Sequence, residues 1–361
     1  MTERIKWWLW RKFRDAETRT HELNYLFWEC TTRCNLACRH CGSDCKLAGS
    51  AKDMPLEDFL AALDTIPRKD IPKEFTVVLT GGEPLMRPDI ELIGKSIRER
   101  GMGWGIVSNG WFYSEKMHER LMGAGMGALT ISLDGLESEH DWMRGGPGSY
   151  SRTLSAISVA AAEPRLNFDV VTCVNCRNLS QLEQMYTLLE SLGVKQWRLF
   201  TIIPIGRAAN DPDMQLDGKQ LRTLMDFLAT KRSQEHKQHG DSAPMTVTFS
   251  CEGYLGKYET KVRPVPFFCH AGVNIASVLI DGRINACPNI DRDAFSQGSI
   301  YTDNFYEVWN KRFQQFRHRD WARRGKCSDC PVFANCQGGG MHNWHGDCAG
   351  PLDCHWQKTI E

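Results

Sequence analysis

Net charge is the first thing this chain of 361 residues lacks: Lys and Arg number 44, Asp and Glu number 44. That balance carries no electrostatic footprint for nucleic acid or an anionic bilayer, so neither partner is expected. Long apolar runs are missing too. No stretch approaches the roughly 20 residues of a spanning helix, and the N-terminus has neither the apolar run nor the small-residue cleavage site of a secretory signal. A cytoplasmic protein without a membrane span is expected. Neither end is of low complexity, and there is no internal repeat. Cysteine, by contrast, is abundant at 15 residues. Cys30, Cys34, Cys38, Cys41 and Cys45 crowd one short stretch, Cys173 and Cys176 stand mid-chain, and eight lie between Cys251 and Cys354. A long chain without a signal peptide sits in a reducing compartment, which argues against a disulfide scaffold and for metal.

Strand-like and helix-like runs alternate after an opening segment. Strands are read at Tyr25 to Thr31, Phe75 to Thr80, Gly103 to Ser108, Ala128 to Leu133, Phe168 to Val174 and Gln196 to Thr201. Helical patterns fall between them, near Pro55 to Thr65, Ile90 to Arg100, Ser114 to Gly123, Tyr150 to Ala162 and Ser180 to Leu192. Six βα repeats predict an α/β fold of parallel strands with right-handed crossovers, a partial (β/α)6 barrel left open. Its active site belongs at the C-terminal strand ends. Polar stretches flanking a helix near Leu221 to Thr230 mark a boundary, giving a barrel over 25–235 and a small cysteine-rich domain over 236–361 that needs metal staples. The segment 1–24 carries IKWWLWRKF, read either as an interfacial or partner-docking helix or, more plainly, as a Trp-rich helix packed on the barrel's open end.

Cys34, Cys38 and Cys41 lie just past the first strand, where a loop projects side chains into the barrel mouth. Three thiolates leave one iron of a cubane 4Fe–4S cluster open to a further ligand. A closed zinc site would need a fourth ligand, for which Cys30 or Cys45 stand near. Thr80-Gly81-Gly82-Glu83-Pro84 follows the second strand, and its paired glycines let the backbone approach a ligand closely. Ser108-Asn109-Gly110 and Ser132-Leu133-Asp134-Gly135 close the third and fourth strands.

CxxxCxxC followed by GGEP in this order resembles the radical S-adenosylmethionine superfamily. The resemblance implies that the open iron chelates the cofactor's amino and carboxylate groups, that His40 fills the family's aromatic position, and that Gly81, Gly82, Glu83 and Pro84 secure the methionyl amino group. It places Ser108 and Asn109 among the cofactor-binding strand ends, Ser132 on the ribose and Arg144 on the carboxylate, where a guanidinium fork suits a planar anion. Asp134 reads as a turn or cap residue. The implied chemistry is one-electron cleavage of S-adenosylmethionine to a 5′-deoxyadenosyl radical that takes hydrogen from an unactivated carbon. A flavodoxin or ferredoxin is the implied electron donor.

Eight C-terminal cysteines match the ligand count of two closed 4Fe–4S clusters. Cys269, then Cys287 at the end of GRINAC, then Cys327-x2-Cys330-x5-Cys336, together with Gly298 to Arg317 around Trp309, resembles the SPASM extension of radical enzymes that modify peptides and proteins. The family's next cysteine is replaced by Gly340. The expected partition is Cys251, Cys269, Cys287 and Cys348 for one auxiliary cluster and Cys327, Cys330, Cys336 and Cys354 for the other, three clusters in all. His342, His345 and His355 are rival ligands, and a zinc knuckle is the alternative for Cys327 and Cys330. Cys173 and Cys176 are read as buried small residues, or else as a redox pair or hydrogen donors to a substrate radical.

The resemblance implies an enzyme acting on a ribosomal peptide precursor, leaving a cross-link, thioether, epimer or oxidised centre. The segment before Asn24 is too short for a winged-helix recognition domain of about 80 residues, so direct binding or a separate recognition protein is expected. Sulfatase maturation is the second reading, weakened because Pro288 stands where an acidic base is usual. A small-molecule dehydrogenase and a non-catalytic iron–sulfur carrier are the others, the carrier leaving GGEP, Ser132 and Arg144 without purpose.

Overall fold

The computed structural model describes residues 3–46, 49, 51–239, 244–250, 252–346 and 348–360. Period-two burial explains the first strand, β1 (Tyr25–Thr31): Leu26, Trp28 and Cys30 are buried on one face, and Trp28 stacks on Phe59 at 4.0 Å. Phe59 belongs to α2 (Leu56–Leu63), so this parity faces the helical layer and the alternate residues, Phe27, Glu29 and Thr31, face the barrel lumen. The N-terminal helix that precedes them is α1 (Glu3–Thr20).

Parallel strands follow in chain order: β2 (Thr76–Gly81), β3 (Gly103–Ser108), β4 (Ala128–Ser132), β5 (Asn167–Val174) and β6 (Gln196–Thr201). Between them lie α3 (Ile90–Glu99), α4 (Glu115–Gly123), α5 (Glu137–Arg144), α6 (Ser149–Ala161) and α7 (Leu182–Ser191). The order across the sheet is that of the sequence and the sheet does not close, the open α/β barrel that six βα repeats predict.

The sheet also runs past the expected repeats. After α8 (Gly218–His239), β7 (Thr246–Phe249) adds parallel to β6, register Gln196 to Thr246. On the other side β8 (Ile275–Val278) pairs parallel with β1, and β9 (Arg283–Asn285) and β10 (Gly298–Ser299) continue antiparallel. The cysteine-rich segment therefore shares backbone hydrogen bonds with the barrel. Its buried residues, among them Trp309 of the helix Phe305–Arg312, join the barrel's in one continuous core.

Helix α1 makes contacts with the C-terminal segment, including Phe268, which lines a cavity with Gln196 and Thr246 at the β6–β7 edge of the barrel. Trp7 meets Tyr254 edge-on at 5.5 Å, Trp10 lies 5.7 Å from Phe268, Arg11 donates to Asn335 Oδ1, and Arg14 to the Ala334 carbonyl. Ile5, Trp8, Leu9 and Phe13 are exposed on its other side. No helix among the described residues is long and apolar enough to cross a membrane.

Candidate active site at the C-terminal strand ends

The cysteine loop leaves β1 and is held through its backbone by the turn after β2, the end of α5 and the Arg207 side chain. Gly82 N–H donates to Thr31 O at 2.7 Å and Glu83 N–H to Arg33 O at 2.8 Å. Arg39 N–H donates to Met143 O at 2.8 Å, and Arg207 Nε to Cys38 O at 2.6 Å. What the paired glycines approach is thus this loop: a Cβ would lie 2.1 Å from Thr31 O at Gly81, where φ is 119°, and 2.1 Å from Arg33 O at Gly82. Gly82→Ala should push the loop outward at a cost of about 1–3 kcal/mol. Denaturant unfolding and bound iron read it together; unchanged values for both would show that the loop does not need this contact.

Cys34, Cys38 and Cys41 are close enough for their charges to act on one another. Burial pushes the Cys34 thiol up to about 11 and raises Cys38, whereas the Cys45 thiol, hydrogen-bonded to Cys41, lowers Cys41. Iron binding offsets such penalties because it takes the thiolate. Among the described residues no three Cys, His, Asp or Glu side chains meet at a single-ion site. A cubane asks for a different arrangement, one thiolate on each of three irons. Cys30 has the parity of Trp28 and faces the helical layer, its Sγ 3.4 Å from Thr80 O and its thiol pushed up to about 12 by burial, so it is turned from the loop.

Around these thiols lies a polar floor. Glu83 is buried and accepts from Ser108 Oγ at 2.9 Å and Asn109 N–H at 2.8 Å, so it ties β2 to β3. Asn109 Nδ2 reaches Asn35 on the cysteine loop at 2.9 Å. Pro84 opens a 3₁₀ turn capped by the Glu83 carboxylate. Ser132 ends β4, half-buried.

The sequence reading missed the centre of this floor, Asp134. Its carboxylate is 1% exposed, accepts Cys173 N–H at 2.8 Å, lies 3.9 Å from His40 Nε2, and forms an ion pair with Arg144 Nη2 at 2.5 Å. That last contact lacks the angles of a hydrogen bond, so Asp134 Oδ2 is buried without a hydrogen-bond partner, and Arg144 Nε and His40 Nδ1 are likewise buried and unpartnered. Arg144 Nη1 also reaches Cys38 Sγ at 3.8 Å. Burial pushes Asp134 upward, but Arg144, His40 and His140 outweigh it and hold the carboxyl below its ordinary value. His140 is pushed down to about 4, chiefly by burial. Its Nδ1 accepts Asp134 N–H at 3.1 Å, which places the ring proton on Nε2 toward Ser149 Oγ. Buried polar atoms left open beside three thiols suit a ligand that brings both an ammonium and a carboxylate. The cluster and S-adenosylmethionine fit this donor set.

The mid-chain cysteines separate. Cys173 shares the lumen parity of Asp169 and Val171 and is near enough to Cys38, Asp134 and Arg144 to feel their charge. Cys176 lies beyond β5 with Sγ 3.2 Å from Asp213 O. In the C-terminal segment Cys327, Cys330, Cys336 and Cys354 line one cavity and act electrostatically on each other. Four thiols around one cavity fit a closed cluster. Of the other set, Cys251 lies outside the described residues. Cys269 Sγ accepts Met341 N–H at 3.5 Å. The loops of Cys287 and Cys348 approach through Asp291, which pairs with His345 at 3.0 Å. His355 engages Thr201 at 2.8 Å and Glu252 at 3.4 Å through Nε2, while its Nδ1 is buried without a partner and the residue lines the same cavity as Cys327, Cys330, Cys336 and Cys354. Half-buried His342 lies within electrostatic reach of Glu252 and His355.

Residues 28–189 match the radical SAM superfamily, and residues 269–331 match SPASM, an iron–sulfur cluster-binding domain. The AdoMet-dependent heme synthase of Nitratidesulfovibrio vulgaris is 25% identical over 347 residues, 92% of this chain and 92% of that protein. Mycofactocin maturase MftC of Mycobacterium tuberculosis is 30% identical over 325 residues, 88% of this chain and 78% of that protein. Among solved structures, Streptococcus suis SuiB bound to S-adenosylmethionine has a TM-score of 0.67 at 16% identity, covering 91% of this chain and 76% of that one. The native anSMEcpe complex with AdoMet and the Cp18Cys peptide has a TM-score of 0.71 at 17% identity, covering 94% of both. At those identities the likeness to the solved structures is one of fold. The sequence relationships and the two domain matches together carry the family: the chain belongs to the radical SAM superfamily and bears a C-terminal SPASM domain.

Proposed function

We propose that the enzyme modifies one residue of a ribosomally made precursor peptide by hydrogen abstraction. The observation that carries this is the 30% identity to a mycofactocin maturase across 88% of the chain. Neighbours in fold are consistent with it, since one SuiB structure holds the precursor peptide SuiA and anSMEcpe holds a peptide. S-adenosylmethionine, when bound and reduced by one electron, supplies the 5′-deoxyadenosyl radical.

The chain's own part is orientation. Arg144, held by Asp134 and Cys38, keeps a buried, unpartnered Nε that would take the cofactor's carboxylate. Glu83 braces the strand ends of Ser108 and Asn109, and Ser132 stands at the next strand end for the ribose. Of the two mid-chain cysteines we assign hydrogen-atom donation to a substrate radical to Cys173, which shares the lumen parity and is near the same ion pair, in preference to Cys176, whose thiol is bonded to the Asp213 carbonyl. A flavodoxin or ferredoxin delivers the electron, and a separate recognition protein or the barrel mouth itself takes the peptide.

The full-length relationship to heme synthases favours a second substrate class, an iron porphyrin. The reconstituted enzyme should be offered, in separate anoxic reactions, peptides translated from the short reading frames flanking its gene and an iron porphyrin. A mass change in one of the peptides that requires S-adenosylmethionine is the expected result. Turnover of the porphyrin alone would overturn the peptide reading.

A further inference from the structure

Among the described residues Arg319 is a buried cation without a carboxylate counter-ion. Its residue is 5% exposed, and Nη1 donates to the Gly339 carbonyl at 2.8 Å. Nε and Nη2 are buried and have no partner. Among the described residues no carboxylate pairs with it, and the groups whose negative charge would favour its ionised form are Cys269, Cys336 and Cys327. A guanidinium stays charged in proteins, and leaving one desolvated and unpaired costs several kcal/mol. Arg14 and His342 are neighbours whose charge-bearing forms Arg319 disfavours, so nothing nearby relieves it from that side.

Those three cysteines belong to different sets. Cys327 and Cys336 line the cavity with Cys330 and Cys354, whereas Cys269 lies outside that lining, its sulfur against Met341 N–H. Arg319 therefore lies within electrostatic reach of both groups of thiols, with the Nε hydrogen and both Nη2 hydrogens still to be satisfied. A doubly charged cubane core held by four thiolates is a net dianion, and its sulfurs accept hydrogen bonds. We propose that Arg319 is the shared electrostatic partner of the two auxiliary cysteine sets, donating to sulfur on both sides and holding the reduction potential of the clusters bound there above the value they would have without it. Its role is that of a positioning and potential-setting residue; it touches neither the reacting carbon nor S-adenosylmethionine. A fixed positive charge favours the reduced, more negative cluster, so removing it lowers the midpoint.

This inference rests on the assignment of iron–sulfur clusters to both sets, and the test keeps the two apart. Wild type, R319M and R319K should be reconstituted anoxically, analysed for iron, and titrated potentiometrically with electron paramagnetic resonance detection. With about 12 iron atoms bound, R319M should show at least one auxiliary cluster whose reduced-to-oxidised ratio at fixed potential falls about tenfold, a shift of about 59 mV for a one-electron couple. R319K, which keeps the charge but loses the planar fork, should recover part of that shift. Full iron with unchanged midpoints in R319M would overturn the role of Arg319, whereas wild-type iron near 4 atoms would overturn the cluster assignment itself. Should R319M shed its auxiliary iron, R319K decides: retention there upholds the charge, and the same loss there contradicts it.

Discussion

A Cys34→Ala protein, reconstituted anoxically, should bind about 8 iron atoms in place of about 12 and lose S-adenosylmethionine cleavage by at least about a thousandfold, equivalent to about 4 kcal/mol in the barrier. Cys34 belongs to a group of three thiols that the loop after β1 brings within electrostatic reach of one another. Each has an iron of its own to hold; the nearest sulfur outside the set is that of Cys45, hydrogen-bonded to Cys41, so Cys34→Ala is read together with Cys34→Ala/Cys45→Ala, which should lose the catalytic iron as fully. Cys30, the nearest candidate on the strand, faces the helical layer against Thr80. Cys30→Ser and Cys176→Ser serve as contrasts: both should retain the catalytic iron, because neither sulfur points at the loop. Retention of all iron and full turnover in Cys34→Ala would remove this residue from the cluster.

Asp134→Asn should destabilise the protein by about 3–5 kcal/mol, since it leaves the Arg144 guanidinium buried without its counter-charge. Asp134 and Arg144 are respectively 1% and 7% exposed. Their shifts agree in sense, Asp134 held low and Arg144 held high. Replacing both, as in Asp134→Asn with Arg144→Met, should cost less than the single change, because a buried pair removed whole leaves no orphan charge. Urea unfolding of the three proteins measures the difference; additive costs would show that the two groups do not act as a pair. The pH dependence follows from the sign of the shift. A carboxyl whose folded pKa is depressed contributes stability that is fully present above its unfolded value near 3.9 and lost as pH falls through the lower folded value. Wild type should therefore lose this contribution only in acid, and Asp134→Asn should lack that portion of the acid transition.

The local features of the fold were legible because they are periodic. Alternation in Tyr25 to Thr31 marks β1, and the same parity separates Cys30 on the helical side from the lumen. It also distinguishes Cys173, in step with Asp169 and Val171, from Cys176 beyond the strand, a signal present in the sequence but not drawn from it. What was not legible is long-range. β8 pairs with β1 across some 250 residues, a partnership that no local pattern encodes, and β7 spans only four residues between polar segments. Asp134 sits in a Leu-Asp-Gly sequence that reads as a turn, yet α5 folds back to bring Arg144 and His140 against it. Gly81 and Gly82 announced a close approach but not its object, which the structure identifies as the carbonyls of the cysteine loop.

Anoxic incubation of the reduced, iron-replete protein with S-adenosylmethionine, followed by quantification of 5′-deoxyadenosine, tests the central claim most directly. The thiol loop, the Asp134–Arg144 pair and the Glu83 brace all predict that 5′-deoxyadenosine forms, dependent on reductant and absent in Cys34→Ala. A protein carrying intact clusters that leaves S-adenosylmethionine uncleaved would contradict it.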